Sequence, residues 1–176
     1  MPLTHYHLGT GLFFGTVFFR FFYLPAMLAG SIFPDIEPIT LVLYNYNYPY
    51  LSYPHHGALH SLLAGVFASL LITIVIKNIR WPFKGGNSKA LIGFFWPTQK
   101  KTFQNIFFGA LFGYFSHIIF DSIMHYDVYP FWPSKYNPLL RIVSVSQEYS
   151  LMYIMAIIGI ALFAGRILWQ RVLKRK

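Results

Sequence analysis

The residues richest in chemistry lie between Gly113 and Pro133, in the stretch GYFSHIIFDSIMHYDVYPFWP. His117, Asp121 and His125 recur there at four-residue intervals. Positions i, i+4 and i+8 share one face of a helix. Two imidazoles and a carboxylate on one face are a metal-ligand set. The chain has no cysteine, so thiolate sites and disulfides are excluded. Any metal must be held by histidines and carboxylates.

Such a stripe is incomplete, and the other candidate ligands fall in a few clusters. The histidines are His5, His7, His55, His56, His60, His117 and His125; the acids are Asp35, Glu37, Asp121, Asp127 and Glu148. None lies between Ser61 and Ser116, and none follows Glu148. His56 and His60 form a second i, i+4 pair at an expected helix start, and His55 stands one residue outside it, able to swing in. Asp35 has two oxygens with which to bridge two ions. Glu37 either does the same or caps, because the two acids flank Ile36 and cannot point one way on regular structure. Asp35 and Glu37 are the candidate catalytic carboxylates, with Glu37, or whichever acid is not a ligand, as general base. Asp127 and Glu148 are expected to orient ligand imidazoles or to serve as loop and cap residues. His125 is open between ligand, supporting donor and interfacial residue.

The elements that position these groups belong to a membrane protein. Of 176 residues, 56% are hydrophobic, 20% aromatic and 11% charged. A soluble domain carries about 25% charged residues. So few charges cannot cover a soluble surface, and one membrane-embedded domain, residues 1–176, is expected. Most of the basic residues behind the net charge of +9 sit in two places. Lys77, Arg80, Lys84, Lys89, Lys100 and Lys101 occupy a linker at about 77–103, and Arg166, Arg171, Lys174, Arg175 and Lys176 the C-terminus. With no soluble basic domain, this charge speaks for cytoplasmic segments and anionic lipid rather than nucleic acid.

The hydrophobic pattern predicts an all-α polytopic bundle of four or five embedded helices. They are expected over about 8–23 (ended by Pro25), 26–33 (too short to span), 57–76, 104–124 and 149–168. The Tyr- and Asn-rich stretch 39–54 reads as an interfacial loop or half-helix, and 126–148 as an irregular return. If linker and tail are cytoplasmic, every histidine and acid ends toward the outer side. His60 is 17 residues from Lys77 and His117 is 16 from Lys101, so both lie roughly 25 Å from the basic face. That is one depth, near the outer boundary of a hydrocarbon core about 30 Å thick.

Ionisable groups at that depth are costly unless paired, and are functional by default. Neutral imidazoles with several carboxylates suit one to three divalent ions, zinc first, with manganese or iron as alternatives. Such ions activate water and clamp a phosphoryl oxygen, and at an outer interface they meet lipid head groups. The expectation is a metal-dependent hydrolase of a lipid or lipid-linked phosphoester. Its rivals are a metal or proton transporter, which should place polar groups at the midplane and on both sides, and a metal-stabilised scaffold.

The same residues resemble the YdjM-like family of membrane-bound, metal-dependent hydrolases over nearly the whole chain. The family's T-x-x-H matches Thr4 to His7, and its G-x-x-x-P-D-I-[DE] matches Gly30 to Glu37. Its H-R-G-x-x-H-S matches His55 to Ser61 with His56 in place of the Arg, while other members read x-H-G-x-x-H. Its G-Y-x-S-H-x-x-x-D matches Gly113 to Asp121, and its P-F-x-P matches Pro130 to Pro133. The LTxxH start and the DVxPFWP run resemble archaeal members. The resemblance implies metal ligation by His7, Asp35, His55 or His56, His60, His117 and Asp121, and remote kinship with zinc-dependent phospholipase C. It gives no substrate.

Overall fold

In a bilayer each backbone polar group must be satisfied within the protein, so long apolar runs become helices. The computed structural model describes residues 4–47, 56–78 and 99–174. They form α1 (Thr4–Val17), α2 (Leu24–Ile32), a 3-10 turn (Phe33–Asp35), α3 (Ile36–Asn47), α4 (Leu62–Asn78), α5 (Phe103–Met124) and α6 (Val145–Lys174). No strand occurs among the described residues. Leu24–Tyr44, Phe103–Met124 and Val145–Val172 are long and apolar enough to cross a membrane. The protein is an all-α membrane bundle, as its composition predicts. His55 and residues 79–98 of the basic linker lie outside the described residues.

Four boundaries differ from the sequence expectation, each for a local reason. α1 ends at Val17 and Pro25 opens α2, since proline fits a first turn that needs no donor there. The turn between them is tied down by a distant side chain. Gln99 accepts from the Leu24 N–H at 2.9 Å and donates to the carbonyls of Phe19 and Phe22, each at 2.7 Å. α2 does not stop at Phe33. Pro34 sits early in the 3-10 turn, which passes the chain into α3, so α2 and α3 together are long enough to span. α4 begins at Leu62 rather than near residue 57 because Ser61 caps it, its Oγ accepting from the Ala64 N–H at 3.2 Å. α6 begins four residues before Tyr149. Ser144 Oγ accepts from the Gln147 N–H at 3.3 Å and the Gln147 side chain accepts from the Ser144 N–H at 3.0 Å, a capping box.

α5 is the central helix. α2 lies against it with backbones touching: a Cβ on Gly113 would come within 2.2 Å of the Met27 carbonyl oxygen. Small residues at such contacts are how membrane helices approach closely. α4 packs on α5 through Ala68, Tyr114 and Ile118. α1 packs beside α6, and Phe120 of α5 meets Met152 and Met155 of α6 with Tyr6, Phe13 and Phe14 of α1 around them. Phe67, Leu71, Ile154 and Ile160 point outward, toward lipid in a membrane. The packing brings the starts of α1, α4 and α6 and the ends of α2 and α5 to one end of the bundle.

Candidate metal centre

Asp121 lies in the last turn of α5 and is 1% exposed. Four imidazoles surround its carboxylate. His7 Nε2 of α1 is 3.1 Å from Oδ1. His117 Nε2, one turn back on α5, is 3.1 Å from Oδ2. His60 Nε2 is 3.5 Å and His56 Nε2 3.9 Å from the same oxygen. Asp35, in the 3-10 turn, places Oδ1 at 3.7 Å from His117 Nε2. His7 stacks on His117 with ring centroids 3.8 Å apart.

The far side of three rings is held by an acceptor. His117 Nδ1 donates to the Ser31 carbonyl at 2.7 Å. His60 Nδ1 is 3.0 Å from Glu37 Oε2, and His56 Nδ1 is 3.0 Å from Asp127 Oδ1. A carbonyl or carboxylate partner holds the proton on Nδ1 and turns a bare Nε2 inward. A neutral ring so held presents an Nε2 lone pair to a carboxylate oxygen, and two acceptors face to face repel unless a proton or a metal ion joins them. Further buried atoms in the cluster lack a hydrogen-bond partner: both His7 ring nitrogens, His60 Nε2, Asp35 Oδ2 and Asp121 Oδ1. Unpartnered atoms of this kind, all ligand types, fit a metal. Three groupings converge within 4.8 Å: His7, His117 and Asp121; Asp35, His60 and His117; and His56, His60 and Asp121.

The 56–61 turn delivers two of these rings, but not as an i, i+4 helical pair. The segment is a turn in which the His60 N–H donates to the Gly57 carbonyl at 3.1 Å. Glu37 organises it by accepting from the Gly57 N–H at 2.8 Å, the Leu59 N–H at 3.3 Å and His60. A Cβ on Gly57 would fall 2.5 Å from Glu37 Oε1, which explains the glycine between the histidines. The Tyr114 hydroxyl donates to the Leu59 carbonyl and fixes the turn on α5.

Burial, aided by the charge of His60, lowers His56 to about 4 and keeps it neutral. Burial also disfavours a charged His60, but the Asp121 and Glu37 carboxylates, as acceptors and by their charge, outweigh it and raise that ring to about 9. In the metal-free protein a proton on His60 thus joins the two carboxylates where a metal could stand.

The structure brings His7, Asp35, His56, His60, His117 and Asp121 into one cluster; His55 lies outside the described residues. Glu37, expected as general base, is engaged by three donors and holds His60. Asp127, expected to orient an imidazole, holds His56 by both ring and backbone, the His56 N–H donating at 3.3 Å. α5 ends at Met124, so His125 caps it and leaves the stripe. Its ring lies 4.7 Å from that of His56, and it groups with His56 and Asp127. The Ser31 carbonyl was missed, as backbone acceptors leave no mark on residue type. A family model described as YdjM inner membrane protein matches residues 1–174. No curated protein and no solved structure matches the chain.

Proposed function

This chain belongs to the YdjM inner membrane protein family, and from the centre it builds we propose that it is a metal-dependent hydrolase of a lipid or lipid-linked phosphoester. The observation that carries the reading is the set of bare imidazole nitrogens facing the Asp121 carboxylate in a buried site. Nitrogen and oxygen donors favour zinc, with manganese or iron as alternatives, and the overlapping groupings suit more than one ion. A divalent ion there supplies charge neutralisation at a phosphoryl oxygen and lowers the pKa of water. The protein's own part is to hold the ligands. His7, His56, His60, His117, Asp35 and Asp121 form the inner wall. Ser31, Glu37 and Asp127 fix the rings that face it.

The side of the membrane follows from charge. Arg20, Lys77, Lys100, Lys101, Arg166 and Arg171 lie toward the end opposite the centre, against Lys135 and Arg141 in the loop between α5 and α6. The more basic end belongs in the cytoplasm. The centre then opens near the outer face, at the depth of lipid head groups.

The test is metal analysis of purified, repleted protein beside hydrolysis of bis-p-nitrophenyl phosphate and of phospholipid in mixed micelles. Wild type is expected to bind metal and cleave a phosphoester, and His117→Ala and Asp121→Ala to do neither. A wild type without metal would sink the reading. Bound metal without turnover would leave a metal-stabilised scaffold instead.

A further inference from the structure

The chain has five carboxylates, and the centre accounts for four. Asp35 and Asp121 face imidazole nitrogens. Glu37 and Asp127 are spent on His60 and His56. The fifth, Glu148, is 1% exposed, yet neither of its oxygens has a hydrogen-bond partner.

Glu148 does not serve its own helix. The start of α6 is capped by Ser144 and Gln147. The side chain points inward for another reason, which its neighbours define. One turn on, Met152 is fully buried against Phe120, the residue before Asp121. Beside it, Tyr149 packs on Tyr6, the residue before His7, with ring centroids 5.1 Å apart. Glu148 therefore faces the junction of α1 and α5, where His7 meets Asp121. It belongs to none of the ligand groupings, so it is not counted among the inner-wall ligands.

We propose that Glu148 is the carboxylate that carries the proton of the hydrolytic step, an inference that rests on the hydrolase reading above. As the water oxygen bonds to phosphorus, Glu148 takes the proton that water loses. As the bond from phosphorus to the leaving oxygen breaks, Glu148 returns that proton to the departing alkoxide. Water and phosphodiester become phosphomonoester and alcohol, and the carboxylate is regenerated. A burial site with no competing hydrogen bond leaves both oxygens free for this exchange.

The experiment uses the full chain, metal-repleted, with Glu148→Gln and Glu148→Asp. Glu148→Gln is expected to keep the wild-type metal content and KM within about threefold, and to lose about 100-fold or more in kcat. The loss should be at least about tenfold greater on phospholipid, which leaves as an alkoxide, than on bis-p-nitrophenyl phosphate, whose nitrophenolate needs no proton. A merely structural role would not separate the two substrates. Loss of metal from Glu148→Gln would make the residue a ligand and overturn the proposal. So would a wild-type kcat, and an equal loss on both substrates would overturn the return of the proton. Should Glu148→Gln fail to accumulate, Glu148→Asp decides: unchanged metal with reduced kcat supports the role, and a wild-type rate overturns it. A wild type that binds metal but cleaves neither substrate defeats the hydrolase reading first, and this inference with it.

Discussion

The two ends of the helix bundle solve the same problem in opposite ways. At the turn between α1 and α2, Gln99 meets one free N–H and two carbonyls. Nearby, the Arg166 guanidinium donates to the Thr16 carbonyl at 3.1 and 2.8 Å and lies 4.6 Å from the centroid of the Phe19 ring. Gln99 and Arg166 match the polar backbone groups they meet, and the match holds α1, α2 and α6 in place. At the other end His7, Asp35, His60, Asp121 and Glu148 keep buried atoms without partners. An unmatched buried polar atom costs roughly 1–3 kcal/mol. One end stabilises the fold, and the other draws on that stability to keep unmatched ligand-type atoms buried.

That contrast can be broken in graded steps. The largest effect is expected from Asp121→Ala, which removes the carboxylate shared by four imidazoles. Metal affinity should fall by more than about 100-fold, beyond what loss of an outer partner costs, as read by competition with a chelating dye. Glu37→Gln and Asp127→Asn leave the inner wall intact but loosen His60 and His56; each should weaken metal binding about 10- to 100-fold in the same assay. Stability should separate the ends by sign. Gln99→Ala is expected to destabilise the fold by about 1–3 kcal/mol with metal content unchanged, while Glu148→Leu removes an unmatched carboxylate and should raise stability by a similar amount. Thermal unfolding in detergent measures both, and two shifts of the same sign would erase the distinction. The smallest effect concerns protons. His60, raised to about 9, must give up its proton to a metal, whereas His56, lowered to about 4, is already neutral. Affinity should therefore rise about tenfold per pH unit toward 9 with release of one proton, and calorimetry in buffers of different ionisation enthalpy would show a slope of one.

Much of the candidate metal centre was legible because its signal is local. His117 and Asp121 sit one turn apart on a helix whose boundaries the hydropathy gave within a residue. The confinement of histidines and acids to a few clusters pointed to Asp35 and the 55–60 segment, and the family resemblance nominated His7; His7, Asp35, His56 and His60 lie beside His117 and Asp121. What stayed hidden depends on contacts across the chain. The Asp127–His56 bond joins positions 71 residues apart, and Gln99 reaches 75 residues to Leu24. The cap at Ser61 and the Ser144–Gln147 box are marked by residue type, but the expected boundaries rest on the apolar runs and the histidine spacing alone. Reading His56 and His60 as a helical pair gave the right partners for the wrong reason. A turn pinned by Glu37 brings their rings within 4.5 Å without a helix.

The pairing of α1 with α6 has a consequence for how the protein is made. His7 is translated early and waits for Asp121 until α5 has inserted, and α1, which packs on α2 first, gains the rest of its surface when α6 follows. Long-range contacts of this kind are the last to form. The centre is therefore closed only when α5 joins the earlier elements. A chain stalled before α5 lacks His117 and Asp121 altogether, so metal binding, if the centre holds an ion, would report that α5 has inserted.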